Sequence, residues 1–244
     1  MKIVSTIEAR MTSSRLPGKP LLDAAGRPML EHLVRRLKAV PSIDDIVLAT
    51  TLNAADQPLV DLAAELGIKA FRGSEDDVML RVIEAARSAD ADVIVEITGD
   101  CPVIDPEIIE QAIRTFKAHQ ADYVSNAVIR SYPDGMDVQV FALDTLIKSA
   151  TMTDSALDHE HVTLHIRDNP EIFSQIHLVA PPEQTWPELG LTLDEKSDYV
   201  LLKKVIEHFD ASNPLFSCRD AVRYLRANPD LLDLNRDVVR KGNT

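Results

Sequence analysis

The sequence predicts an α/β protein built on a doubly wound, mixed but mostly parallel sheet with an antiparallel extension. Three observations predict it. Short apolar, β-branched runs alternate with stretches of helical period over the first 118 residues. Turn-forming Gly and Pro residues fall between them. The chain has 244 residues, 45% of them hydrophobic, enough to bury the core such a fold needs.

The elements follow in order. Residues 3–7 read as a strand, then a loop holding Pro17, Gly18 and Pro20, then a helix from Pro28 to Val40. Residues 45–51 form a second strand, and 57–66 a helix stopped by Gly67. A short strand over 68–71 precedes a helix over 78–89, with Val78, Leu80, Val82, Ile83 and Ala86 available for the core. Residues 92–98 make the clearest strand, and Pro106 opens a helix running to Ala118, since proline costs nothing at a first helical turn. This β-α order predicts parallel strands with helices on both faces. Ligands of such sheets sit at the carboxyl ends of strands, so the loops after Ile7 and Thr98 come first.

Beyond residue 120 the rhythm changes. Strands are expected at 123–128, 137–141, 175–179 and 190–193, with a turn at Tyr132-Pro133-Asp134-Gly135. Helices are expected at 143–150, 159–167, 195–209 and 218–226. We read one domain over residues 1–244, with residues 123–180 as an acceptor-side and dimerisation extension within it.

Charge narrows the function. The formal net charge is −13, which argues against a nucleic-acid partner, because phosphate backbones are bound by clustered Lys and Arg. Residues 1–38 nevertheless carry eight basic and three acidic side chains, a local +5 that leaves −18 over the rest. Such an island suits a compact anion such as a nucleotide, although Arg35, Arg36 and Lys38 also fit the solvated face of a helix. No apolar run reaches membrane-spanning length, and Met1 to Glu8 lacks the apolar core of a signal peptide. The two cysteines have neither metal nor disulfide spacing, so a cytoplasmic protein is expected.

Three segments can carry chemistry. In Ala9-Arg10-Met11-Thr12-Ser13-Ser14-Arg15-Leu16-Pro17-Gly18-Lys19, three cations and three hydroxyls crowd one loop, where backbone N–H groups and cationic side chains can face a single anion. Neither GxxxxGK[ST] nor GxGxxG is present, and the loop taken alone is equally a solvated connection. Thr98-Gly99-Asp100-Cys101-Pro102 would project Asp100 into the crevice, as a magnesium carboxylate or an Asx turn. Asp194, after Leu191-Thr192-Leu193, is a helix cap or a second metal ligand. On the acceptor side Tyr132, Asp134, His159, Glu160, His161 and Arg167 are candidates, with Arg130 or Arg167 as a fork for a carboxylate. A zinc site at His161 and His165 lacks the HExxH pattern, because Val162 stands at the Glu position.

The run Glu8 to Leu21 resembles the opening motif of the CMP-sugar synthetases, A-R-x-x-S-x-R-L-P-G-K-x-L. That family includes the 3-deoxy-manno-octulosonate and acylneuraminate cytidylyltransferases, and the chain is most similar to its spore-coat polysaccharide (SpsF-like) branch. Residues 73–78, 99–106, 132–138, 160–163 and 192–194 follow in family order. The resemblance implies a nucleotide-diphospho-sugar transferase fold (GT-A-like, Rossmann-type), usually dimeric, consuming CTP and releasing pyrophosphate. It implies that Arg10 and Lys19 grip the triphosphate with Ala9, Ser13 and Arg15 beside them, and that Asp100 and Asp194 bind Mg²⁺. Arg72 and Ser74 would lie near the nucleoside. Arg10, Lys19 and Asp100 would carry the catalysis. Two positions depart from the pattern. Glu8 stands where the branch has Gln, and its carboxylate could repel phosphate, hydrogen-bond the base or approach a metal. Thr98 stands where the octulosonate enzymes have Gln. A sugar-1-phosphate nucleotidylyltransferase, a glycosyltransferase of this fold and a catalytically silent nucleotide-binding partner are the alternatives.

Overall fold

The computed structural model describes residues 1–238. The chain opens on β1 (Ile3–Glu8), continues through the small ribbon β2 (Asp23–Ala24) and β3 (Arg27–Pro28), and enters α1 (Met29–Lys38). Then come β4 (Asp45–Thr51), α2 (Gln57–Glu65), β5 (Lys69–Gly73), α3 (Val78–Ser88), β6 (Val93–Thr98) and α4 (Pro106–Ala118). The second half holds β7 (Tyr123–Ser125), β8 (Gln139–Ala142), α5 (Leu143–Ala150), α6 (Ala156–Glu160), α7 (Leu164–Asp168), β9 (Gln175–His177), α8 (Lys196–Phe209) and α9 (Cys218–Ala227).

Seven strands form one sheet in the order β5-β4-β1-β6-β8-β7-β9. The four strands from β5 to β6 are parallel, β8 runs antiparallel to both β6 and β7, and β9 pairs parallel with β7. From β1 the chain winds outward through β4 to β5, then returns to the other side of β1 as β6. That reversal opens a crevice at the carboxyl ends of β1 and β6.

Side chains alternate across the strands. Ile3, Ile7, Leu48, Val95 and Ile97 join the larger core with Leu33, Leu37, Ile109 and Leu202 of the helices on that face. Val4, Val47 and Ile94 join the opposite core with Met79, Val82, Leu146 and Ile166. In α1 the buried Met29, Leu30, Leu33, Val34 and Leu37 lie at helical spacing, which makes a single apolar stripe. Asp105 caps α4 by accepting the Glu107 N–H at 2.9 Å, and Pro106 fills the first turn.

Three expected elements differ most. Residues 190–193 do not form a strand; they touch the sheet's neighbourhood by one bridge, Asp134 to Gly190. The helix expected over 159–167 breaks into α6 and α7, because Val162 adopts φ 51° and is buried. A β-branched residue is strained in that left-handed region, so tertiary packing has overridden local periodicity. The strand expected over 123–128 is shortened to β7.

Candidate active site

The cation loop and the two predicted carboxylates converge. Lys19 Nζ lies 3.2 Å from Asp100 Oδ2 and 3.4 Å from Asp194 Oδ1. Arg15 reaches the same Asp194 oxygen at 2.8 Å and Glu195 at 3.7 Å. Lys19 and Asp194 are both mostly buried, with 14% and 15% of their side chains exposed, so these charges interact through little water. Burial pushes the Asp100 carboxyl up, but the Lys19 charge and hydrogen bonds from Thr98 and Lys19 outweigh it and hold it below its ordinary range. Asp100 is therefore an anion.

Backbone contacts make this meeting possible. Gly99 donates its N–H to Glu8 O at 3.0 Å. A Cβ there would sit 2.7 Å from that oxygen and 2.8 Å from the Ala9 Cβ, so only glycine lets β6 end flush against the loop. The Leu193 N–H donates to Asp100 O at 2.8 Å, which carries Asp194 to the crevice from 94 residues away. On the other edge of that segment, Leu191 N–H donates to Asp134 O at 2.7 Å. Gly135, at φ 100°, could carry no side chain here, since a Cβ would meet the Leu191 carbonyl at 2.7 Å. Asp198 then accepts the Asp194 and Glu195 N–H groups at 3.2 and 2.9 Å as α8 begins.

Arg10 is held differently. It pairs with Glu75 at 3.1 Å, and the same carboxylate accepts from Thr12 and, at 2.6 Å, from Asn53 Nδ2. The Asn53 hydrogen bond comes first among the influences that hold Glu75 below its ordinary range. Ala9 is buried and Ser13 half-buried beside it. Arg72 braces the end of β4: it donates to Thr51 O at 2.9 Å, Asn53 O at 2.7 Å and Gln57 at 3.0 Å. Ser74 Oγ accepts the Asp77 N–H at 3.0 Å. Both shape the loops around Arg10.

Of the predicted acceptor-side residues, Asp134 and Arg167 both act on Asp137, and His159 pairs elsewhere with Asp77. Tyr132 is 5% exposed and packs in the larger core, its phenol raised by burial and by Cys218 and Asp105. Asp134 approaches Arg130 at 4.0 Å. His159 donates to Asp77 at 2.9 Å, which raises its pKa, while Glu160 is exposed at the end of α6. Arg167 lies close enough to Glu96 and Asp137 to stabilise their charged forms.

Several residues carry more than their sequence signal suggested. Asp137 is raised to about 6 by burial and by Asp134, against Arg130 and Arg167. Glu8 and Glu96 project from neighbouring strands onto the α3 face, since Thr6 registers with Glu96 and Glu8 with Thr98. Burial and the charge of Glu96 hold Glu8 well above its ordinary range, and burial raises Glu96 to about 8. Gln139 donates to Glu96 at 2.6 Å, and its own oxygen accepts from Tyr123 and Thr163. Both carboxyl oxygens of Glu8 are buried, with the Thr6 side chain as the one hydrogen-bonding side chain that lowers its pKa among the described residues. The carboxyl of Glu8 thus points into the protein.

The donor set suits magnesium. Two carboxylates already share one cation, Lys19 Nζ, and both offer hard oxygen ligands. Among the described residues no group of three or more His, Cys, Asp or Glu could hold a metal, so its other ligands would come from phosphate and water, as is usual for magnesium. Two hollows, of about 550 and 540 Å³, lie elsewhere and include none of Arg10, Lys19, Asp100 or Asp194. Convergent charge marks the site.

A cation-bearing loop after β1, facing carboxylates across the switch point of a doubly wound sheet, defines a nucleotidyltransferase. Comparisons with known proteins make this specific. The cytidylyltransferase family profile matches residues 4–220. The chain is 32% identical to the spore coat polysaccharide biosynthesis protein SpsF of Bacillus subtilis, over 93% of this chain and 95% of that one. It is 39% identical to a 3-deoxy-manno-octulosonate cytidylyltransferase of Trichlorobacter lovleyi, over 48% of this chain and 45% of that one. A cytidylyltransferase structure from Leptospira borgpetersenii superposes with a TM-score of 0.91 at 30% identity, covering 98% of this chain and 100% of that one. The chain belongs to the cytidylyltransferase family. Among the described residues no helix is long and apolar enough to cross a membrane.

Proposed function

We propose that the chain transfers CMP from CTP to a sugar acid or related acceptor, releasing pyrophosphate, in the biosynthesis of a surface glycan. The observation that carries this reading is the convergence of Lys19 on Asp100 and Asp194 beside Arg15. An acceptor oxygen attacks the α-phosphorus in line, and the bond from that phosphorus to the bridging oxygen of the β-phosphate breaks. The protein's share is positioning and charge neutralisation. Lys19, Arg15 and Arg10 bind phosphate oxygens, and Arg10 exchanges Glu75 for the nucleotide. Magnesium, held by Asp100 and Asp194, would neutralise the charge of the leaving pyrophosphate. The acceptor lies toward Arg130, Asp134, Asp137 and Arg167, where two guanidinium groups suit a carboxylate.

The same reading has the chain working as a homodimer through residues 123–180. Strand β9 ends the sheet there, and Val128, Ile129 and Val179 are exposed around it. Sedimentation velocity showing a monomer at working concentration overturns that part.

The experiment is a screen of nucleoside triphosphates against 2-keto sugar acids and sugar phosphates, read as pyrophosphate release with the product identified by mass. A CMP ester of a sugar acid is expected. A nucleoside diphosphate sugar identifies the sugar-1-phosphate reaction instead.

A further inference from the structure

Asp56 stands immediately before α2, where an aspartate ordinarily caps its own helix. Its side chain makes no such cap. It is fully buried, and it reaches across to a loop 45 residues earlier, where Oδ1 accepts the Met11 N–H at 2.7 Å. Oδ2 accepts the Thr51 N–H at 3.3 Å and the Thr51 hydroxyl. Burying a carboxylate is costly unless donors satisfy it, and these three, with the amino end of α2, do so.

The Met11 amide is the peptide group that follows Arg10, so its hydrogen bond fixes the backbone from which the Arg10 side chain departs. The other side of Asp56 leads back to the same arginine. Thr51 Oγ1 accepts the Asn53 N–H at 3.1 Å, Asn53 Nδ2 donates to Glu75 at 2.6 Å, and Glu75 holds the Arg10 guanidinium at 3.1 Å. The hydrogen bonds close a ring that begins at the backbone of Arg10 and ends at its head group. Asp56 is the buried member of that ring.

We propose that Asp56 is a positioning residue for nucleotide binding: it touches no substrate, and it acts by holding the Arg10–Met11 peptide so that Arg10 faces the triphosphate. The inference rests on the reading of Arg10 as a triphosphate ligand. It assigns to the ring a second task, which is to keep the guanidinium oriented on Glu75 until the nucleotide replaces that carboxylate.

The test is calorimetric titration with CTP and magnesium of the wild type, Arg10→Ala, Asp56→Asn and the double variant. Asparagine keeps the shape but turns one acceptor into an NH₂ group. Asp56→Asn should weaken CTP about tenfold, the scale of one lost charge-assisted hydrogen bond. The double variant should bind no more weakly than Arg10→Ala, because the effect passes through Arg10. Amide exchange at residues 9–19 should quicken in Asp56→Asn while α4 is unchanged. Additive losses, or wild-type affinity in Asp56→Asn, overturn the inference while leaving the function intact. Wild-type affinity in Arg10→Ala overturns the triphosphate reading and the inference with it. If Asp56→Asn does not fold, Thr51→Val carries the same cycle, with about a threefold loss expected and again none in the Arg10→Ala background.

Discussion

The two sides of the crevice treat carboxylates in opposite ways. On the loop side, Asp100 is surrounded by Lys19 and hydrogen-bond donors and is held ionised despite burial. On the α3 face, Glu8 and Glu96 lie side by side with burial dominant, and both are held toward the neutral form. The same chemical group is an anion in one place and a protonated acid a few residues away. Composition does not decide this; the balance between burial and the counter-charge beside each carboxyl does. The loop side gathers Lys19 and Arg15 around Asp100 and Asp194 as ion pairs. The α3 side keeps charge out of the sheet beneath it.

That contrast can be broken by substitution. The largest effect is expected for Asp100→Ala and Asp194→Ala, which should each lower CTP- and magnesium-dependent pyrophosphate release by about 10²-fold or more, the scale of losing a preorganised charge contact. Unchanged turnover in either, with the fold intact by circular dichroism, removes that carboxylate from the site. Lys19→Ala should fall next, weakening both CTP affinity and turnover, and should raise the pH at which Asp100 ionises because its main counter-charge is gone. The second effect is readable in the acid limb of the pH–rate profile.

The α3 side predicts a stability effect instead. Glu96 titrates near 4.5 when unfolded and about 8 when folded. Between those values the unfolded chain is ionised and the folded one protonated, so stability falls as pH rises through that window. Glu96→Gln should flatten the fall, raising the melting temperature at pH 8 relative to pH 5 by an amount on the order of 5 °C, with CTP affinity unchanged. Identical pH dependence in wild type and variant would refute the buried neutral acid. The smallest effect belongs to His159, whose pKa is raised chiefly by the Asp77 hydrogen bond. Its contribution is present below about 6.5 and lost as pH rises through the folded value, so His159→Gln should cost well under about 1 kcal/mol at pH 6 and nothing at pH 9. Denaturant melts at the two pH values read it directly.

Much of the loop side was legible in the sequence. The strands at 3–8, 45–51 and 93–98 follow from β-branched runs, and the helices between them from apolar residues at three- and four-residue spacing. Parallel order then pointed to the loops after β1 and β6, which the structure brings together. Glu75 lay within a recognised motif, but nothing local marked it as the partner of Arg10. Asp56 carried no signal of its own, because its partner, the Met11 amide, lies 45 residues earlier in the chain. The second half was harder. Its short strands pair out of sequence order, and Val162 breaks a helix that periodicity alone would continue.

The sequence by itself determined the order of elements, the cation-bearing loop after β1 and the family to which the chain belongs. These depend on side-chain period and turn chemistry, which act over a few residues. Only the tertiary structure decided that Asp194 meets Asp100 through the Leu193 amide, that Asp56 turns from its helix to the Met11 amide, and that Glu96 is held neutral while Asp100 is not. Each of these depends on groups far apart in the chain, and on how much water packing leaves beside them.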